Sequence, residues 1–316
     1  MTDVLTLDEA AVERLLDPRA LIDALADGFR ALTRGGVVAP DRNQLAMPNG
    51  DFLLSMPGRM GDGPMAVKVV TLFESNVEAG MPAHLATIGL YDADTGECQA
   101  FLDGTYITAI RTSAAAALAC DLVARRDARV LAIVGAGVQA EHHLRTFALV
   151  RDFAEIRVVA LRADDAQRVA SGHPRARMVA DAEEAVRGAD VVALTTNAGE
   201  PVIDPAWLRA GAHVSSVGYK PPGGELPREL AAAGHLFVET RQALAPPPVG
   251  CAELDGVYPS AATELGELLL GRAPGRRDDD ELTVYKAMGH VVEDIVAAEL
   301  VLAAAAREGV GTTVSL

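Results

Sequence analysis

Cysteine and lysine are both scarce in this 316-residue chain, at three residues each. Cys98, Cys120 and Cys251 lie far apart with no paired spacing. That excludes a disulfide framework or a cysteine zinc site, and it implies small buried thiols in a reducing, cytoplasmic setting. Positive charge is also in short supply: 28 Lys plus Arg stand against 44 Asp plus Glu, a formal charge of −16. Capture of nucleic acid or an anionic membrane rests on basic surface, so neither partner is expected and small molecules are. No apolar run reaches the roughly 18 residues of a membrane span. The stretch 113–120 is short, and 295–306 carries Glu299. The acidic, amphipathic start MTDVLTLDEAAVERLL matches neither a signal peptide nor a transit peptide. No His/Cys/carboxylate group has metal-ligand spacing and no Gly-x-Ser-x-Gly elbow occurs, so neither a metal nor serine-hydrolase chemistry is expected.

The chain is organised around residues 129–147, RVLAIVGAGVQAEHHLRTF. Residues 130–134 form an apolar run of the length of a strand buried on both faces, and Gly135-x-Gly137-x-x-Ala140 follows without a gap. Gly135 permits a tight turn, Gly137 lets backbone approach a pyrophosphate, and Ala140 keeps the next helix close to the strand. A tight turn without ligand would use similar residues, but the strand before and the helical pattern after match a dinucleotide site.

Residues 1–34 read as helical, with Asp17-Pro18 as a helix start. From 37 to 102, alternating runs at 43–47, 51–56, 65–72, 86–91 and 98–101 are separated by turn residues, which implies a predominantly antiparallel sheet. A helix rich in small residues follows. Strands at 130–134, 156–160, 191–195, 213–217 and 236–238 then alternate with helices near 138–150, 164–171, 181–187 and 226–233. The C-terminal LTVYKAMGHVVEDIVAAELVLAAAAREG reads as one helix returning to the first domain. The expected class is α/β, a Rossmann doubly wound parallel sheet (113–290) plus a discontinuous α+β substrate-binding and dimerisation domain (1–112 with 291–316).

At the end of the second Rossmann strand an acid would accept hydrogen bonds from the adenosine ribose. The sequence there is IRVVALRADD, which places Arg162 where it would meet the 2′-phosphate of NADP. Asp164 and Asp165 follow slightly late and keep NAD open, so NADP(H) is favoured over NAD(H). Arginine forks suit a carboxylate clamp, and Arg42, Arg59 and Arg111 are candidates. Lys68, inside the apolar run PMAVKVVTLF, is a candidate proton donor, because burial would lower its pKa toward neutrality. A snorkelling edge-strand lysine is the plainer reading. His84 and His290 flank motifs and read as structural or solvent-facing.

Several stretches together resemble the ornithine cyclodeaminase/μ-crystallin family: APDRNQLAMPNGDFLLSMPG, AVKVVTLFESNVEAGMP, GLYDADTGECQAFLDGTYITAIRTSAAAALA, VLAIVGAGVQAEHH, SVGYKPPGGELP and LTVYKAMGHVVEDIVAAEL. The resemblance implies a homodimer pairing through the sheet-rich domain, and a Rossmann domain binding NAD(P). It places Arg42, Lys68 and Arg111 at substrate-carboxylate and acid/base positions. Arg111, Thr112, Gly135, Ala136, Gly137, Val138, Gln139, Ala140, Thr195 or Thr196, Val217, Gly218 and the Ala287-Met288-Gly289 segment fall on the cofactor wall. Where the family's cyclodeaminases carry an aspartate tied to the ornithine amine, this chain has Lys220, and a family glutamate falls at Leu54. Those departures point away from a diamino acid and toward the ketimine reductase and amino acid dehydrogenase branch. An NAD(P)H-dependent reductase of imino acids is expected, with a cyclodeaminase or a μ-crystallin-like ligand-binding protein as alternatives.

Overall fold

The computed structural model describes residues 2–316. The chain divides into two compact units, Met1–Arg111 with His290–Leu316, and Thr112–Gly289. Each break falls one residue before the sequence-based boundary.

The first unit opens with a strand, not the expected helix: β1 is Asp3–Leu7. It buries Val4 and Leu7, and its backbone pairs in parallel with residues 100–102 and antiparallel with residues 312–315. Those partners come from distant sequence, which is why a local helical pattern misreads it. Helices α1 (Glu9–Leu15) and α2 (Pro18–Thr33) follow, capped by Asp8 and Asp17; Asp17 accepts from Ala20 N at 2.7 Å with Pro18 in the first turn. Then come β2 (Val37–Val38), β3 (Asn43–Ala46), β4 (Phe52–Met60), β5 (Met65–Leu72), β6 (His84–Tyr91) and β7 (Cys98–Asp103). Both β2 and β3 pair with β4, and the gap between them lies opposite residues 56–58. Pro57, within that gap, has no N–H to donate, and Arg42 sits where the edge strand is interrupted.

The division falls inside helix α3 (Thr105–Val123). This helix is long and apolar enough to cross a membrane, contrary to the run-length expectation. It carries Arg111, however, and 83% of its apolar window is buried, which is the signature of a core helix.

The second unit holds β8 (Val130–Val134), α4 (Val138–Val150), β9 (Glu155–Val159), α5 (Ala163–Ala170), β10 (Ala176–Met178), α6 (Ala182–Val186), β11 (Val191–Leu194), β12 (His213–Ser216), α7 (Arg228–Ala233), β13 (His235–Val238), β14 (Ala262–Glu264), α8 (Leu265–Leu269) and β15 (Thr283–Lys286). Its sheet is parallel throughout, in the order β10-β9-β8-β11-β12-β15-β13-β14, with strand order reversing beside β8. Residues 283–286, read from sequence as helical, are therefore a central strand. The run TVYK is buried on all four positions and slots between β12 and β13, a partnership invisible to local pattern.

The chain then returns to the first unit as α9 (Val291–Glu308), which packs on α2, β4 and β5, and ends in β16 (Thr312–Ser315) beside β1. Of the cysteines, Cys120 and Cys251 are buried, whereas Cys98 is only partly so.

Candidate active site

In the first unit, Lys68 pairs across the sheet with Met56 and Ile88, so the three side chains share one face. Met56 and Ile88 are buried, and α9 lies against this sheet, which puts the lysine inside the unit at 1% exposure. Its ammonium donates to Asp294 Oδ1 at 2.8 Å. Arg111 donates from Nη1 to Glu293 Oε2 at 3.1 Å, and its Nε stands 3.5 Å from Asp294 Oδ1. A buried charge persists only when paired, so two cations on β5 and α3 and two anions on α9 form one compensated cluster. The sequence reading named Lys68 and Arg111 but missed Glu293 and Asp294. The available signal was a pair of adjacent acids in the first turn of a largely apolar helix.

Burial drags Lys68 down to about 8, helped by Arg111 and opposed by Asp294 and Glu293. The group is thus a cation that can shed its proton near neutral pH. His290 caps α9, accepting from Val292 N at 3.1 Å, while Glu293 returns to His290 N at 2.6 Å. Burial, with Arg42 and Arg111 nearby, pulls His290 down to about 4, so it is a neutral structural cap. Arg42 is thereby within electrostatic reach of the same cluster. His84 lies on the Lys68 face at the exposed start of β6, where desolvation and the two cations Lys68 and Arg111 lower its pKa as well. Arg59 is elsewhere, donating to Gly63 O at 3.0 Å in a turn.

In the second unit, Gly135 has φ +125°, and a Cβ there would meet Thr195 Oγ1 at 2.5 Å. Only glycine fits. Gly137 is different: a Cβ would meet nothing within 4 Å, so the protein's own packing does not demand a glycine there. The open space lies at the start of α4, where Gly137 is the N-cap and no side chain caps the helix. Orphan amides, a positive dipole end and vacant volume fit a pyrophosphate beside residues 135–140. Ala140 is fully buried, and Ala136 O accepts from Arg168 Nη2 at 2.8 Å, an anchor the sequence did not reveal.

Other sequence candidates gather at the carboxyl edge of this sheet. Thr195 Oγ1 donates to Val134 O at 3.0 Å, which ties β11 to β8. Thr196, Val217 and Gly218 all donate to Glu225, and the Met288 and Gly289 amides donate to Glu239 Oε1 at 3.0 and 2.9 Å. Arg162 occupies the N-cap position of α5 without a capping side-chain bond; its side chain is 79% exposed, and Asp165 stands 3.5 Å away. Thr112 is buried on α3, and Lys220 stands half-buried on the arch after β12.

A reversed strand order, a glycine turn and an uncapped helix start define a dinucleotide-binding α/β protein. Comparison with known proteins narrows the class. The chain belongs to the ornithine cyclodeaminase/mu-crystallin family, whose profile matches residues 1–309. It is 35% identical to a mouse (Mus musculus) protein named ketimine reductase mu-crystallin, over 287 residues covering 89% of each chain. Among solved structures, the Thermococcus litoralis Delta(1)-pyrroline-2-carboxylate reductase in complex with NADH and L-proline superposes with a TM-score of 0.92 at 31% identity, covering 98% of this chain and 100% of that one. An archaeal alanine dehydrogenase dimer with bound NAD gives a TM-score of 0.89 at 27% identity over 100% of both chains.

Proposed function

We propose that the protein is an NAD(P)H-dependent reductase of imino acids and ketimines, equivalently an L-amino acid dehydrogenase, working at the substrate α-carbon. The observation that carries this reading is Lys68, a buried ammonium brought to about 8 and held by Asp294 beside Arg111. The relatives named for ketimine and pyrroline-2-carboxylate reduction support it. When bound, the nicotinamide supplies the hydride. Lys68 delivers a proton to the substrate nitrogen in reduction and recovers it in oxidation, while Asp294 fixes its direction. Arg42 and Arg111 hold the carboxylate.

Charge supports a monocarboxylate. Two arginines and Lys68 surround the His290 and Asp294 end of α9, and both neighbouring histidines have lowered pKa values, so the surroundings favour an anionic group. Leu54 pairs with Val70 on the Lys68 face and offers no counter-charge to a side-chain ammonium. NADP(H) over NAD(H) is part of the proposal and rests on exposed Arg162.

So is a homodimer. The sheet face opposite Lys68 displays Leu45, Met65, Leu85 and Phe101, each at least 38% exposed, an apolar stripe suited to a second copy. Cytoplasmic residence is proposed from the cysteine pattern.

The deciding experiment follows NADPH and NADH oxidation with pyrroline-2-carboxylate, piperideine-2-carboxylate, and pyruvate plus ammonia or methylamine. Turnover of a cyclic imine is expected. Conversion of ornithine to proline without added cofactor, and no imine reduction, would replace the reductase by a cyclodeaminase.

A further inference from the structure

The second unit contains a buried carboxylate that the proposed reaction does not use. Glu225 is completely buried and accepts five hydrogen bonds. Oε1 takes Ser216 Oγ at 2.9 Å, Val217 N at 3.1 Å and Gly218 N at 2.7 Å. Oε2 takes Thr196 N at 2.6 Å and Thr196 Oγ at 2.8 Å. The donors come from the ends of two adjacent parallel strands, β11 and β12. Both oxygens face only donors, so a carboxamide of the same shape would turn an NH2 toward an N–H whichever way it flipped.

The backbone around this carboxylate is closely fitted. A Cβ at Gly218 would collide with Thr196 O and approach Glu225 to 2.9 Å. Lys286, at the end of β15 and fully buried, donates to Ser216 Oγ at 3.1 Å and Gly218 O at 2.6 Å, and pairs with Glu253 at 2.5 Å. Glu253 Oε1 in turn accepts from Leu226 N at 2.9 Å, which fastens the far end of the arch. Three strand ends are thus tied together on the side of the sheet beyond the glycine-turn strand. In a doubly wound sheet that half receives the second nucleotide of a dinucleotide.

We propose that Glu225 is a positioning residue that sets the spacing of the Thr196, Val217 and Gly218 backbone for the nicotinamide half, while the glycine turn holds the adenosine half independently. The inference rests on the nicotinamide-dependent reading above. Its test compares whole cofactor with half cofactor by calorimetry, using NADPH and NADH against ADP and adenosine 2′,5′-bisphosphate. Glu225→Gln is expected to weaken dinucleotide binding about tenfold or more and to raise the dinucleotide KM in step, with the adenosine fragments bound as in wild type. Ser216→Ala removes one donor of the five and shifts dinucleotide affinity the same way by a few-fold; it decides the matter alone if Glu225→Gln does not fold. Equal losses for fragments and dinucleotides would make Glu225 a general scaffold residue and overturn the proposal, as would an unchanged dinucleotide affinity. Wild-type protein that binds neither dinucleotide would overturn the functional reading, and the clamp with it.

Discussion

Replacing Asp294 by asparagine keeps the side-chain shape and removes the anion 2.8 Å from the Lys68 ammonium. Burial is the main influence pulling Lys68 down to about 8, Arg111 adds to it, and Asp294 is the strongest influence in the other direction. A unit charge about 4 Å away, at an effective dielectric near 20, is worth about 4 kcal/mol, or about three pKa units. Glu293 stays in place and water would relax around the pair, so a fall of at least about one unit is expected. Reduction consumes the ammonium form. The kcat/KM for a cyclic imine should therefore be level at low pH and decline as pH rises through the Lys68 pKa, near 8 in the wild type. In Asp294→Asn the decline should begin near pH 7 or below, and amino acid oxidation, which needs the free amine, should gain its plateau correspondingly earlier. Loss of one partner of a buried pair should also cost about 3–5 kcal/mol of stability, read by denaturant unfolding at a pH where both proteins are folded. An inflection that stays put, or moves upward, would show that Asp294 does not govern Lys68. A pH-independent loss would remove Lys68 from proton delivery.

Three further outcomes are expected. Gly135→Ala should destabilise the protein by about 1–3 kcal/mol, because its φ of +125° and the Thr195 contact leave no room, whereas Gly137→Val should leave thermal stability near wild type and weaken nucleotide binding. Equal stability losses in both would mean that the space at Gly137 is not a ligand space. Arg162→Asp should reduce NADPH affinity about tenfold or more and leave NADH much less affected, measured by fluorescence titration; an unchanged ratio would leave the 2′-phosphate without its arginine. Leu85→Glu places a charge on the exposed apolar sheet face and should shift the mass measured by light scattering from dimer to monomer, and an unmoved mass would locate the dimer contact elsewhere.

Much of the second unit was legible because its signals are local. The run VLAIV must be buried on both faces, and the glycines after it have few uses outside a strand-to-helix turn, so strand, turn and helix could be placed almost to the residue. Lysine scarcity was informative for a related reason. Two of the three lysines, Lys68 and Lys286, are fully buried and ion-paired, positions for which an arginine-rich chain would otherwise have little cause to use lysine. The third, Lys220, stands on the arch that Glu225 and Glu253 pin at its two ends.

Segments whose partners are remote escaped that reading. Asp3–Leu7 is a strand because residues 100–102 and 312–315 flank it, and Thr283–Lys286 is a strand because β12 and β13 leave a slot for it. Amphipathic periodicity records which side of a segment is buried, and it cannot record what covers that side. The chemistry divides in the same way. The amino-acid order alone specified that a lysine would be desolvated within an apolar strand and that a dinucleotide turn would follow a buried one. Folding decided which carboxylate would hold that lysine: Asp294 lies 226 positions along the chain from Lys68, and a charge that far off in sequence can act on it only after α9 has packed against β5.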